Sequence, residues 1–261
     1  MGAIPIFFCL LEEKIMNGKI IMIASEDGHG KTRGICSFPE EIALLDTEYP
    51  KSKQTISAFY ADKLITTFPC QVYHTKSDPA RGILRGNIDI DKTIDEIYKN
   101  IGHILDNYEQ YETVVVDGVS DLRRMVAEHW IKHDPKHRKV IGDNPSAWSE
   151  INDIVKERML FPLINTARIL DKTLILTSKM TDTRTILTGE DGASHSYKTG
   201  TKEPDVSEWI GYKMDVKILL SCDKNKQYWI NWLRAPTAGL PARENITDIE
   251  LYDVFRARGV L

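Results

Sequence analysis

Apolar residues along the chain fall into two patterns. In the first they form short uninterrupted runs: "KIIMIA" (Lys19 to Ala24), "IALLD" (Ile42 to Asp46), "TVVVD" (Thr113 to Asp117), "TLILTS" (Thr173 to Ser178) and "DVKILLS" (Asp215 to Ser221). Runs of that length, rich in Ile, Leu and Val, suit strands buried on both faces of a parallel sheet. "QYWINWL" (Gln227 to Leu233) follows the turn "CDKNK" and is expected to hairpin with the run before it. In the second pattern apolar residues recur at helical spacing, which predicts helices at Lys31 to Ser37, Ile90 to Asn107, Asp121 to His133 and Ser146 to Leu170. A last helix is expected from Thr247 to Arg258, with Thr247 as N-cap, Glu250 closing a capping box and Gly259 as C-cap.

Strands that alternate with helices predict an α/β fold in three layers around a mostly parallel sheet, with an antiparallel hairpin near the C-terminus. Ligands of such sheets bind at the carboxyl ends of the strands. The longest polar connections follow two of those ends, near Lys132 to Asn144 and Thr181 to Ser207.

Length and charge narrow the picture. A chain of 261 residues can bury a full core as one large domain. We divide it into an extension (1–18), a core (19–235) and a C-terminal tail with its helix (236–261). The net charge of -4 leaves any nucleic-acid surface to local clustering and excludes a strongly basic, histone-like binder. Cys9, Cys36, Cys70 and Cys222 form no CxxC pair, so neither a zinc site nor a disulfide framework is expected, and a cytoplasmic setting follows. The apolar stretch Ala3 to Leu11 is too short to span a bilayer and lacks the flanks of a signal peptide; it reads as a peripheral strand or packing arm. No membrane association is expected. Met16 is an alternative start, because it opens almost directly on the first core run.

The chemistry concentrates after the first run. Ser25, Glu26, Asp27, Gly28, His29, Gly30, Lys31 and Thr32 match the phosphate-loop pattern except that Ser25 replaces its first glycine. Gly28 and Gly30 still allow positive φ and close approach of backbone N–H groups to an anion. Lys31 would reach the β- and γ-phosphates, Thr32 would offer a hydroxyl to Mg²⁺, and Arg33 follows on the same helix. Glu26 and Asp27 would have to point away. The alternative is a flexible turn with a solvated lysine.

Two runs end on acids. Asp117 stands where a phosphate-loop nucleotidase places its second magnesium-organising carboxylate; the alternative is a cap on the next helix. Asp46 and Glu48, in "DTE", follow the second run, where a carboxylate can orient or deprotonate an attacking water.

A phosphate loop, a short helix, a strand ending in "DTE" and an apolar strand ending in Asp117 together resemble the RecA-type recombinase core, from about Lys19 to about Leu233. The nearest shape is that of the small RecA-core ATPases of phages and archaeal viruses, some of which act in single-strand annealing and recombination. The resemblance implies ATP and Mg²⁺ as cofactors, Glu48 as the catalytic base, and a host-cell cytoplasm if the protein is viral. It also aligns Lys179, in "KTLILTSKMTDTR", with the polar residue that senses the γ-phosphate, although the bacterial recombinase has a glutamine there.

In RecA-like proteins DNA contacts follow these strands. The first matching segment carries Arg123, Arg124, Lys136, Arg138 and Lys139 beside Trp130; the second carries Arg184, Tyr197, Lys198 and Lys202. Basic residues among aromatics suit phosphate neutralisation and base stacking, and "TRTILT" with "ASHSYKT" can equally form a hairpin around "GEDG". Single-stranded DNA and other copies of the chain, in a hexamer or filament, are the implied partners. Arg234 and Arg243 are the candidates for a residue that completes a neighbour's site. Two other functions stay open: a nucleotide or nucleoside kinase, with Arg81 and Arg85 as a thin lid, and an assembly module switched by nucleotide occupancy.

Overall fold

The computed structural model describes residues 18–74, 88–133, 145–188 and 194–261. Outside them lie the Ala3 to Leu11 arm, Met16, Arg81, Arg85, Lys136, Arg138, Lys139 and the "GEDG" turn. The backbones of Arg184 and Tyr197 are described but their side chains are not.

Eight strands form the main sheet: β1 (Ile20–Ser25), β2 (Ile42–Asp46), β3 (Ile65–Pro69), β4 (Thr113–Asp117), β5 (Thr173–Ser178), β8 (Val216–Cys222), β9 (Tyr228–Arg234) and β10 (Arg243–Asn245). Their order is β10-β9-β8-β1-β5-β4-β2-β3. All neighbours from β8 to β3 run parallel, and β9 and β10 close one edge antiparallel. The runs on β1, β2, β4 and β5 are buried throughout because both faces of the sheet are covered there, whereas β8 alternates buried with half-buried residues, unlike the expectation for its run. On β1, Ile20 and Met22 enter one buried cluster, while Ile21 and Ile23 enter the other. Each fully buried Ile contributes roughly 1.5–3 kcal/mol.

One face is packed by α3 (Ile90–Asp106), α4 (Val119–His133), α5 (Pro145–Val155) and α6 (Phe161–Ile169). Ile90, Ile94, Ile97, Ile101 and Ile104 make the buried stripe of α3. The opposite face is packed by α1 (Lys31–Cys36) and α8 (Leu251–Ala257). The remaining elements are α2 (Lys51–Phe59), α7 (Glu208–Lys213) and a separate antiparallel hairpin of β6 (Met180–Thr188) and β7 (Ser194–Pro204). The segment that offered either a loop or a hairpin is therefore a hairpin.

Three expectations change. The single helix expected from Ser146 to Leu170 is interrupted by a π-helical stretch, Lys156–Leu160, just before Pro162. Proline has no N–H for the regular ladder, so a register shift there accommodates it. The capping box at Thr247 does not form. The Thr247 hydroxyl instead accepts from the Tyr228 N–H at 3.0 Å, and the Glu250 carboxylate accepts from the Tyr60 hydroxyl at 2.7 Å. Helix α8 thus starts at Leu251, although its end matches: Gly259 has φ +61°, and the N–H groups of Gly259 and Val260 reach the Arg256 and Phe255 carbonyls. Finally, α2 and β3 lay outside the expected elements. Helix α2 buries only Ser52, and β3 is an edge strand that buries only Phe68.

Candidate active site at the carboxyl edge of the sheet

The segment between β1 and α1 turns sharply on two glycines, Gly28 with φ +78° and Gly30 with φ +86°. Gly30 is doubly constrained, because a Cβ there would also stand 3.0 Å from the Tyr228 ring. Gly30 caps α1, and its carbonyl accepts the first helical bond, from the Gly34 N–H at 2.8 Å. Lys31 follows immediately. It is only 7 % exposed, an uncommon place for an ammonium, and its Nζ donates to the Ser25 Oγ at 3.2 Å and the Ser25 carbonyl at 3.4 Å. With its charge folded back on its own hinge, Lys31 has neutral partners that an anion would outbid.

A cavity of about 300 Å³ opens beside the hinge, lined by Lys31, Thr32, Arg33 and Glu48 together with Lys51 and Tyr228. Lys31 and Glu48 come from different strand ends, and the fold brings them to one cavity. Arg33 stands at the rim, paired with Glu250 at 3.5 Å and set over the Phe59 ring. Glu26 turns out toward Lys202 of β7, with which it forms an ion pair, and that pair holds the Glu26 carboxyl below its usual range.

The acids after β2 divide their tasks. Asp46 is fully buried, and its carboxylate accepts from the Glu48 N–H at 2.9 Å and from the Ser52 hydroxyl. Burial pushes its carboxyl up despite these bonds. Its groups are committed to the turn into α2. That leaves Glu48 as the acid from the β2 end that faces the cavity; Asp27 of the hinge lines it too, against the expectation that it would point away.

Asp46 and Asp117 pair in register across β2 and β4. Asp117 is 1 % exposed. Its Oδ1 accepts from the Thr177 hydroxyl at 2.6 Å, and the same hydroxyl accepts from the Gly118 N–H at 2.8 Å. Asp117 Oδ2 is buried with no partner. Burial pushes the Asp117 carboxyl up to about 6, with Glu48 and Asp46 adding to the rise and Thr177 and Lys31 opposing it. A buried carboxylate oxygen without a partner suits a cation or its hydration water, although the Lys31 charge opposes it, and on that donor chemistry the residues present fit a magnesium ion. The helix-cap alternative for Asp117 finds no support in these bonds.

Thr47 ties the two strand tips together. Its N–H and its hydroxyl both donate to the Asp117 carbonyl, at 3.1 and 2.6 Å. At the tip of β5, Lys179 lies 2.9 Å from Asp121 Oδ2 and 3.6 Å from Glu48 Oε1. Burial pulls its ammonium down, but the Asp121 bond and the charges of Asp121 and Glu48 outweigh that and hold it above its ordinary value.

The expected nucleic-acid residues are distributed differently. Arg123 is largely buried, donating to Asn152 at 2.9 Å and to Asp205 at 2.6 Å, so it pins the base of the hairpin to α4. Arg124 is exposed beside Asp121. Lys198 pairs with Asp182 at 2.5 Å within the hairpin. Arg234 lies at the end of β9 opposite the hinge and donates to the Gly211 and Tyr212 carbonyls, and Arg243 lies over the Trp229 ring at 4.2 Å. Cys36, Cys70 and Cys222 are free, and burial pushes the Cys36 thiol up to about 12.

Sequence reasoning missed Tyr228, Asp121 and Thr177, whose roles come from contacts across the chain. It also missed Lys51 on α2, although its position just after "DTEYP" was a usable signal.

Strand order and hinge together define the class: the fold is that of a RecA-like P-loop NTPase. The chain belongs to the family described as AAA domain, which it matches over residues 17–227. The RadB recombinase has a similar fold, at 15 % identity and a TM-score of 0.52 over 90 % of this chain and 89 % of that one. A KaiC-like protein from the hyperthermophilic archaeon Pyrococcus horikoshii OT3 is 11 % identical, with a TM-score of 0.43 over 88 % of this chain and 85 % of that one. No curated protein sequence gives a match. Among the described residues no helix is long and apolar enough to cross a membrane.

Proposed function

We propose that the protein is an ATPase that hydrolyses ATP in response to single-stranded DNA, in recombination or single-strand annealing, and works as a ring or filament. One observation carries the hydrolytic half: Lys31 and Glu48, from separate strand ends, face the same cavity. Bound ATP supplies the phosphoanhydride bond and magnesium neutralises the charge that develops on its oxygens. In this proposal Lys31 exchanges the Ser25 oxygens for the β- and γ-phosphates. Thr32 and Asp117 hold the metal and its water, while Tyr228 and Arg33 bound the nucleotide on the hinge side. Glu48 accepts the proton of the attacking water, and Lys179 positions the Glu48 carboxylate.

The DNA half rests on the hairpin. Its lysines Lys198 and Lys202 both lie on β7, four residues apart, and Lys202 is joined to the phosphate loop through Glu26. Single-stranded DNA would compete for those lysines and release Glu26, which links occupancy of the hairpin to the loop. Arg234, at the end of β9 opposite the hinge, and Arg243, over the Trp229 ring, are the proposed contributors to a neighbouring copy.

Phosphate release by the full chain, measured with and without a single-stranded oligonucleotide, tests this reading. We expect stimulation by DNA, its loss in the Lys198→Ala, Lys202→Ala double variant, and a fall in turnover of roughly 10²–10⁴-fold in Glu48→Gln. Turnover indifferent to DNA would overturn the nucleic-acid half. Phosphate transfer to a nucleoside without hydrolysis would instead make the protein a kinase.

A further inference from the structure

At the far end of α4 a second cluster has no part in the chemistry above. Asp91, in the first turn of α3, faces His129 and His133, one turn apart on α4. Both imidazoles converge on the same carboxylate oxygen, with Asp91 Oδ1 3.4 Å from His129 Nε2 and 2.9 Å from His133 Nε2. The two rings lie 4.5 Å apart between centroids. One donor atom from each of the three residues fits within 4.8 Å of the others.

We propose that Asp91, His129 and His133 bind one divalent metal ion of borderline softness, with zinc as the expected occupant and water as its fourth ligand.

The spacing supports this in three ways. Histidines at i and i+4 present both ring nitrogens from one helix face, the arrangement zinc helices use. Tetrahedral bonds of zinc to nitrogen and oxygen put neighbouring donors roughly 3.4 Å apart, so His129 already stands at ligand distance and His133 needs to withdraw by a few tenths of an ångström. The other carboxylate oxygen is already occupied: Lys132 Nζ lies 2.6 Å from Asp91 Oδ2. Such an outer bond fixes the carboxylate and leaves Oδ1 for the metal.

The Lys132 charge and the partial exposure of all three side chains oppose tight binding.

Nitrogen donors discriminate against magnesium, which prefers oxygen. The site therefore stays separate from the phosphate loop in chemistry as well as in space. Helix α4 starts beside Asp117 and ends at His133, and its fifteen residues span about 22 Å. Bound there, the metal would staple the start of α3 to the end of α4.

The test uses the full chain, freed of metal by a chelator and desalted. Cobalt is titrated while its visible d–d absorption is followed, and zinc is then used to displace it. One equivalent with a tetrahedral-type spectrum, displaced by zinc and unaffected by millimolar magnesium, is expected. His129→Gln, His133→Gln and Asp91→Asn should each weaken binding at least about tenfold. Their nucleotide affinity should match that of the wild type, which shows that the chain is folded. No saturable binding, or binding that survives loss of both histidines, would overturn the proposal and leave the cluster an ion-pair contact between helices.

Discussion

The Lys179 ammonium lies 3.6 Å from the Glu48 carboxylate and so joins the tips of β5 and β2, strands that are not neighbours in the sheet. Asp121 holds the same ammonium from α4 at 2.9 Å. Lys179 is therefore a positioning residue for the cavity-facing acid. Replacing it with Met keeps the length and removes the charge. Turnover should fall about tenfold, equivalent to 1.4 kcal/mol, while the affinity for nucleotide stays near that of the wild type. A parallel fall in affinity would show that Lys179 contacts the nucleotide directly.

Lys31 is the buried cation of the hinge. Its loss removes a charge-assisted bond worth about 1.5–3 kcal/mol, so Lys31→Ala should bind ATP roughly 10–100-fold more weakly. Titration with a fluorescent ATP analogue measures this. Unchanged affinity would mean that the hinge is not the phosphate site.

Asp117 gives the nucleotide-free protein a pH dependence of known sign. Its folded-state value, about 6, lies above its ordinary 3.8, so its contribution to stability is full below about pH 4 and is lost as pH rises through 6. The wild type should lose roughly 2–3 kcal/mol between about pH 4 and pH 7 relative to Asp117→Asn, which has no charge to bury. Denaturant unfolding of both proteins across that range provides the comparison. Parallel curves would remove Asp117 as the source.

Gly118 allows the Asp117 tip to lie against Thr47. It has φ +99°, and a Cβ there would stand 2.1 Å from the Thr47 hydroxyl oxygen. Gly118→Ala should cost at least about 1–3 kcal/mol from backbone strain alone. The clash should also break the Thr47 bond to the Asp117 carbonyl, so turnover should fall even at temperatures where the variant remains folded. Thermal melts read beside phosphate release separate the two effects.

Much of this was legible in the sequence. β2, β4 and β5 run between the same residues as their apolar runs, because strands covered on both faces cannot carry polar residues in the middle. The hinge was legible for a similar local reason, since glycines that permit positive φ stand directly before a lysine. Helix α2 and strand β3 left no such trace. One is polar throughout apart from a few residues and lies on the surface, and the other is an edge strand with a single buried side chain. Yet α2 supplies Ser52 to hold Asp46, and with that bond the choice between Asp46 and Glu48 as the cavity-facing acid becomes visible.

By itself the sequence determined where the buried strands extend, where the amphipathic helices coil and which tips carry lysine or carboxylate, since each depends on side-chain period and backbone freedom within a few residues. Tertiary structure alone decided which tips meet. Strand order set β1 beside β5 and β8, hairpin pairing brought Tyr228 over Gly30, and helix packing carried Asp91 to His129 and His133. Those are contacts between residues far apart in the chain, chosen by how two buried faces fill, and no local pattern encodes them.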